Sequence, residues 1–315
     1  MKTISISVII PLRNNAQHIE RALKSVQQQY VSVDEIIVVD DGSTDGSVNQ
    51  VLALDIPNLT LIEQVNQGLF AAKNNGAKAA RNDFIVFLNP NDEWLPFFTH
   101  EIQHLINAFP NRLCYASRYQ WITSSGAPVD ANVKLSNVNP EGYEMTNFFA
   151  VAAKGDLPFT LSSCVFTKSH FEALGAFVTK NPVEDEYEFF ARVALNGAIV
   201  YSPNIHLHQH LTAKKMSHVN IPHQLRLSTY RHIGQVKQSA HATRDIADYY
   251  ANILLSTAKQ NILCSNLSVA LQLLSLPLCK RRYVRSATLR CSVRLLQLKS
   301  VFSHSMAFVK KDLLS

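Results

Sequence analysis

The chain has 315 residues, 47% of them hydrophobic, enough to bury a full core and to hold one large domain plus an appendage. Of its 30 Lys and Arg, nine fall in residues 279–315 against a single acid there, a net +8. Residues 1–278 carry a net −2, which gives no support to a general nucleic-acid-binding face on the main domain.

Cys114, Cys164, Cys264, Cys279 and Cys291 are scattered, odd in number and without a C-x-x-C pair. That argues against a disulfide framework or a cysteine-based zinc site and for a reducing compartment. The first apolar run, Ile4 to Leu12, is broken by Ser5 and Ser7, stops at Asn14 and has no small-residue cleavage site, so it reads as a strand and not a signal peptide. No stretch reaches the ~18 uninterrupted apolar residues that span a bilayer. The expected location is cytoplasmic, soluble or peripheral at a membrane surface.

Strand-like and helix-like runs alternate from the start: Ser5–Pro11, Asn15–Gln28, Glu35–Asp40, Thr44–Ala53, Leu59–Glu63, Gly68–Arg81, Phe84–Leu88 and Leu95–Ala108. This alternation predicts a parallel sheet with right-handed crossovers, an α/β fold. In the first helix Ile19, Leu23 and Val26 recur at helical spacing behind Asn14 and Asn15, either of which suits an N-cap. Residues 113–166 loosen into short strands and a polar connection. Leu161–Thr167 then reads as a strand, Asp185–Leu195 as a helix, and the chain beyond about 219 as helical.

The densest signal is VVDDGSTDGS, residues 38–47. The apolar Ile36 to Val39 can cross a parallel sheet, and Asp40 and Asp41 then emerge at the carboxyl end of a strand, where open α/β sheets bind ligands. Gly42 permits the reversal, and Ser43, Thr44 or Asp45 can cap the next helix. A carboxylate pair at a strand tip before a Gly/Ser turn suits a nucleotide site. A capped helix with solvated carboxylates is the simpler alternative.

Pro11-Leu-Arg13-Asn14, VVDDGSTDGS, Asn66-Gln-Gly-Leu-Phe-Ala-Ala-Lys-Asn74, FLNPNDEWLP (87–96), TLSSCVF (160–166) and DEYEFFARVA (185–194) together resemble the inverting family-two glycosyltransferases of the GT-A fold. The match covers about residues 5–217. The resemblance implies a nucleotide-diphosphate sugar donor, Mn²⁺ or Mg²⁺, and a single in-line displacement at the anomeric carbon. It also implies a fold that is Rossmann-like, mixed but mainly parallel, with helices on its flanks.

On this resemblance Pro11, Arg13, Asp40, Asp41, Asn66, Gly68, Lys73 and Asn91 fall at nucleotide-binding positions. Asp41 is the choice for the uracil N–H, which favours a UDP-sugar; Asp40 is divided between nucleotide binding and helix capping. Lys73 stands where the family usually has Arg and suits a phosphate as a point charge; a solvated helix lysine is the alternative. Where the family commonly reads Asp-Ala-Asp-Asp, this chain has Asn89-Pro90-Asn91-Asp92. Asp92 remains as the direct metal ligand, with poor metal affinity expected before the donor binds. Asp92-Glu93 also suits the start of a helix. Counting back from Arg192 lays the family's catalytic Asp on Glu186, with Asp185 one place before; Glu186 is the favoured base and Asp185 the alternative after a small shift of the helix start.

Period-two spacing puts His206, His208 and His210 on one face of a strand. His210 falls nearest the family's metal- or diphosphate-approaching His, beside a loop ending Met216-Ser217. With no acidic or Cys co-ligand nearby in sequence, exposed strand histidines are favoured over a zinc site. In the tail Lys280, Arg281, Arg282, Arg285, Arg290, Arg294 and Lys299 interleave with Leu289, Val293, Leu296, Val301 and Phe302. That pattern fits either a basic helix on anionic lipid or the solvated face of a helix packed against the catalytic domain.

The combined expectation is a GT-A domain over 1–218 and a helical, basic extension over 219–315. The expected activity is inverting transfer of a sugar, hexosyl or N-acetylhexosaminyl, to a hydroxyl of a surface glycan or lipid-linked glycan, with no nucleic-acid partner. A catalytically silent scaffold that binds nucleotide sugar or a partner enzyme is the alternative, supported by the amides at 89 and 91. A dinucleotide-binding oxidoreductase is set aside for want of G-x-G-x-x-G after the first strand.

Overall fold

A computed structural model describes residues 4–135, 138–179, 186–211, 240–263, 265–280, 282 and 286–294. The chain divides into two compact units, Met1–Thr212 and Ala213–Ser315. The boundary expected at 218/219 lies outside the described residues.

The first unit opens with the anticipated alternation: β1 (Ile6–Leu12), α1 (Ile19–Gln27), β2 (Glu35–Asp40), α2 (Ser47–Ala53), β3 (Leu59–Glu63), α3 (Leu69–Ala79) and β4 (Phe84–Phe87). It continues with β5 (Asp92–Trp94), α4 (Phe98–Ala108), β6 (Cys114–Ile122), β7 (Pro128–Asp130), β8 (Tyr143–Met145) and α5 (Phe148–Ala152). A 3₁₀ turn at Leu161–Ser163 leads into β9 (Cys164–Thr167), followed by α6 (Lys168–Ala173), α7 (Glu186–Asn196) and β10 (Ile199–His210).

The strand order is β3-β2-β1-β4-β9-β6-β10-β5, with β7 paired to β6 and β8 to β10. Strands β1 to β4 pair in parallel; β9 is antiparallel to β4 and β6, and β10 is parallel to β6 but antiparallel to β5. The sheet is thus mixed and mainly parallel on the side carrying the nucleotide-type motifs. β1 and β2 are buried along their whole length, as strands covered on both faces must be. Ile19, Ala22, Leu23 and Val26 form the buried face of α1. α3 lies so close to β1 that a Cβ on Gly76 would sit 2.4 Å from Ile9 Cγ2, so only glycine fits there without a shift.

Three local expectations are corrected. The N-cap of α1 is His18 with no side-chain bond, because residues 15–18 first form a turn in which the Asn15 carbonyl accepts from the His18 and Ile19 N–H groups. The N-cap of α2 is Gly46, in the left-handed region at φ 81°, while Asp45 accepts from the Ser47 N–H at 3.0 Å. Asp92-Glu93 begin a strand and not a helix. β10 pairs Leu207, His208 and Gln209 with Trp94, Glu93 and Asp92, and the helix starts only at Phe98.

The second unit is helical where described: α8 (Ala240–Leu263), α9 (Leu267–Ser275), α10 (Pro277–Lys280) and residues 286–294. Leu254, Leu255, Ala258, Leu273, Leu274, Cys279 and Val293 form its core, with Leu289 packed against it. Leu289 and Val293, which the sequence left open to a membrane or to packing, are therefore partners of the unit's own core. Arg282 lies 3.9 Å from Asp248, and Arg290 bonds the Leu274 carbonyl. Among the described residues no helix is long and apolar enough to cross a membrane.

Candidate active site

The loops after β1 and β2 are fastened to each other and to the segment after β3. Asn14, at φ 48°, turns the chain out of β1; its N–H donates to Ser43 Oγ at 3.0 Å, and its Oδ1 accepts from the Thr44 N–H at 2.8 Å. The Asn15 N–H donates to Ser47 Oγ at 2.9 Å and the Ala16 N–H to Asp45 at 3.2 Å. Gly42 has φ 75°, and a Cβ there would lie 3.3 Å from the Asn66 nitrogen. Positive φ and the close approach of residue 66 both call for glycine.

Asp41 is the keystone of this clasp. Its carboxylate is wholly buried and accepts from Gln64 Nε2 at 2.8 Å, the Gln67 N–H at 2.7 Å and the Gly68 N–H at 3.0 Å. Arg13 Nη1 lies 3.9 Å from Asp41 and bonds Asn66 Oδ1. Arg13, Asp41, Asn66 and Gly68 are thus one cluster. Gln64 and Gln67 are added to it by the structure; the sequence signal for them is only their place just after β3. Asp40 accepts from the Ser43 N–H at 3.0 Å, while its buried Oδ1 has no hydrogen-bond partner among the described residues. Pro11 is buried in β1 opposite Val39, one position short of the strand tip.

The tip of β4 carries Asn89 to Asp92. Asp92 is buried, and its Oδ2 accepts from Ser162 Oγ at 2.6 Å and Asn89 Nδ2 at 3.3 Å. The Asn89 N–H donates to Ser162 Oγ at 3.0 Å, and Trp94 Nε1 donates to the Ser162 carbonyl at 2.7 Å. Ser162, inside TLSSCVF but given no role from sequence, therefore orients this carboxylate. Asp92 Oδ1 and Asn91 Oδ1 are buried with no hydrogen-bond partner among the described residues. Bare oxygens on two consecutive residues suit a hard divalent cation, which takes oxygen ligands and often only one or two carboxylates. Among the described residues no group of three or more His, Cys, Asp and Glu gathers to hold a metal without help.

His210 is not brought to Asp92. Alternation along β5 turns Glu93 to the face opposite Asp92 and Trp94. His210 Nε2 is 2.9 Å from Glu93 Oε2, His208 Nδ1 is 3.8 Å from Glu93 Oε1, and Arg21 Nε is 3.4 Å from Glu93. His206 lies 3.9 Å from Glu101. The acidic neighbours absent from the nearby sequence come from β5 and α4. These imidazoles are half-buried, and burial holds His206 and His208 below the ordinary imidazole range.

Lys73 is only 2% exposed, unlike a solvated helix lysine. Its Nζ sits 5.0 Å from the Phe70 ring centre, 5.7 Å from that of Phe177 and 3.9 Å from Glu186 Oε1. Glu186 opens α7, a helix seated by Phe189 in the aromatic core and by Arg192, which pairs with Glu188 at 2.7 Å. Asp185 and Met216-Ser217 lie outside the described residues.

The glycosyl transferase family 2 model matches residues 7–149. WcaA of Escherichia coli K12, a proposed colanic acid biosynthesis glycosyl transferase, is 36% identical over 122 residues, 36% of this chain and 42% of that protein. The chain spans about a third of the length of the curated relatives it matches. Among solved structures, S. aureus TarS 1-349 in complex with UDP-GlcNAc aligns with a TM-score of 0.66 and 17% identity over 94% of this chain and 92% of that one. The mannosyltransferase PcManGT of Pyrobaculum calidifontis, in complex with GDP-Man and Mn²⁺, gives 0.57 and 18% over 95% and 87%. The sheet order and these structural alignments give the first unit the GT-A fold, and its residues 7–149 are similar to glycosyl transferase family 2.

Proposed function

We propose that the chain transfers a sugar from a UDP-sugar to an acceptor hydroxyl with inversion at the anomeric carbon. The observation that carries this reading is the clasp at the carboxyl ends of β1 and β2, where buried Asp41 fixes residues 64–68 and Arg13 beside them. A rigid cluster of one cation, one carboxylate and an amide suits a nucleotide diphosphate. The likeness to UDP-GlcNAc-bound TarS supports uridine, and the name of WcaA supports a surface-glycan acceptor.

In the proposed step a Glu186 carboxylate oxygen takes the proton of the acceptor hydroxyl. The acceptor oxygen so deprotonated bonds to the anomeric carbon from the face opposite the departing diphosphate, and the electron pair of the broken C–O bond leaves with UDP. A divalent cation held by Asp92 and Asn91 would supply neutralisation of the charge on the leaving diphosphate. In-line attack from the opposite face is what inverts the configuration.

Asp41→Ala removes the anchor of residues 64–68 and any direct base contact, so UDP affinity should fall by roughly 1.5–3 kcal/mol, the range for a hydrogen bond to a charged group. Calorimetry on folded variant checks this; unchanged affinity contradicts it.

A second reading, a silent scaffold that binds nucleotide sugar, is favoured by the amides Asn89 and Asn91 in place of carboxylates. Incubation with UDP-sugars and Mn²⁺ separates the two, since the scaffold releases no UDP.

We further propose a cytoplasmic location with peripheral membrane contact through residues 279–315, supported by their net +8. With Leu289 and Val293 taken up by the core of the second unit, that contact falls mainly to residues 295–315, outside the described residues. Sedimentation with phosphatidylglycerol vesicles should decline as salt is added; pelleting that is absent or indifferent to salt contradicts the contact.

A further inference from the structure

A buried ammonium is rare unless something compensates its lost hydration, and a carboxylate and two aromatic faces are effective compensators. Lys73 has all three. Phe70 and Phe177 stack with centroids 4.6 Å apart at 30°, and the Lys73 Nζ lies over both rings. Phe177 is fixed in turn by Asn74, the next residue of α3: Asn74 Nδ2 donates to the Phe177 carbonyl at 2.8 Å, and the Phe177 N–H donates to Asn74 Oδ1 at 3.1 Å. The Phe177 ring also packs 4.6 Å from Phe189, three residues along α7 from Glu186. Arg192 ties the same helix to the carbonyls of Leu174 and Ala176. Lysine cage and base-bearing helix therefore share one aromatic support, which sets the ammonium 3.9 Å from Glu186 Oε1.

We propose that Lys73 is a positioning residue for Glu186: its caged charge keeps the carboxylate ionised and oriented, and so sets the pH above which Glu186 can take a proton. The proposal rests on the reading of Glu186 as the base. It gives Lys73 a different task from a phosphate contact, because the ammonium is enclosed by the two rings and the carboxylate. Tyr119 on β6 and Cys164 on β9 also interact electrostatically with Glu186, but burial pushes both side chains up toward their neutral forms, whereas Lys73 brings a positive charge. An opposite charge within ~4–6 Å favours the ionised carboxylate by about one to three pH units.

Lys73→Met keeps the length and apolar packing of the side chain and removes the charge. In protein labelled with ¹³C at glutamate side-chain carboxyls, the Glu186 signal is assigned by its loss in Glu186→Gln. Its titration midpoint should be about one pH unit or more higher in Lys73→Met than in the wild type. The acid limb of kcat/KM should move to higher pH with it, Lys73→Arg should restore both, and UDP affinity should stay within about twofold. Lys73→Gln is the second neutral variant should Lys73→Met not fold. A midpoint that does not move overturns the proposal, as does a tenfold loss of UDP affinity with the acid limb in place, which would mark a phosphate contact. A uniform loss of rate at all pH with an unmoved midpoint marks a purely structural role and overturns it too. Glu186→Gln with undiminished transfer overturns the base reading instead, and the carboxyl titration still decides the ion pair.

Discussion

Glu186→Gln is expected to keep the fold and the UDP affinity while lowering glycosyl transfer by about 10²- to 10⁴-fold, the usual contribution of a positioned general base. The amide preserves the shape of the side chain at the start of α7 but cannot accept the proton of the acceptor hydroxyl. The side chain is about one-third exposed beside the enclosed Lys73, so an acceptor can reach it while its charge partner stays fixed. Asp185→Asn should cost far less. If Asp185→Asn is instead the inactive variant, the two roles exchange; if both variants transfer normally, the base lies elsewhere. Circular dichroism and UDP calorimetry on each variant keep loss of fold apart from loss of chemistry.

Asp92→Ala is expected to abolish the Mn²⁺ site that forms with nucleotide. In the apoprotein one carboxylate and one amide oxygen, Asp92 Oδ1 and Asn91 Oδ1, lack hydrogen-bond partners at the β4 tip among the described residues. Among the described residues no acidic or imidazole cluster completes a coordination shell there. Phosphate oxygens must supply the remaining ligands, so Mn²⁺ titrated into apoprotein should give little signal, and UDP should reveal the site. Ser162→Ala should weaken it to a lesser degree, because the Ser162 hydroxyl orients Asp92 from the opposite oxygen at 2.6 Å. Tight Mn²⁺ binding without nucleotide, or an unaltered site in Asp92→Ala, contradicts this account.

Much of the scaffold was legible because its signals are local. The apolar run Ile36–Val39 and the Gly/Ser turn after Asp41 specify a buried strand and a reversal within ten residues, and the helix-spaced Ile19, Leu23 and Val26 mark the face of α1 that packs inward. What was misread depends on distant partners. Asp92-Glu93 resemble an acidic helix start, yet pairing with β10, more than a hundred residues later, makes them a strand. That same pairing sends Glu93 to His208 and His210 and leaves Asp92 on the other face, so the proximity of His210 to the metal motif could not be judged from sequence order. For Lys73 the sequence left a phosphate contact and a solvated helix lysine both open; its burial beside Phe177 and Glu186, over a hundred residues away, is not visible in local spacing. The role of Ser162 was hidden for the same reason, since its bond to Asp92 spans seventy residues.

The central claim is glycosyl transfer from a UDP-sugar with inversion, and it is tested most directly by product stereochemistry. The full chain is incubated with Mn²⁺, an anomerically ¹³C-labelled UDP-α-sugar and a hydroxyl-bearing glycan acceptor, and the anomeric carbon of the product is followed by NMR together with UDP release. The account predicts UDP release in step with a β-linked product, and loss of both in Glu186→Gln. An α-linked product, or nucleotide binding with no transfer across UDP-sugars and glycan acceptors, would contradict it.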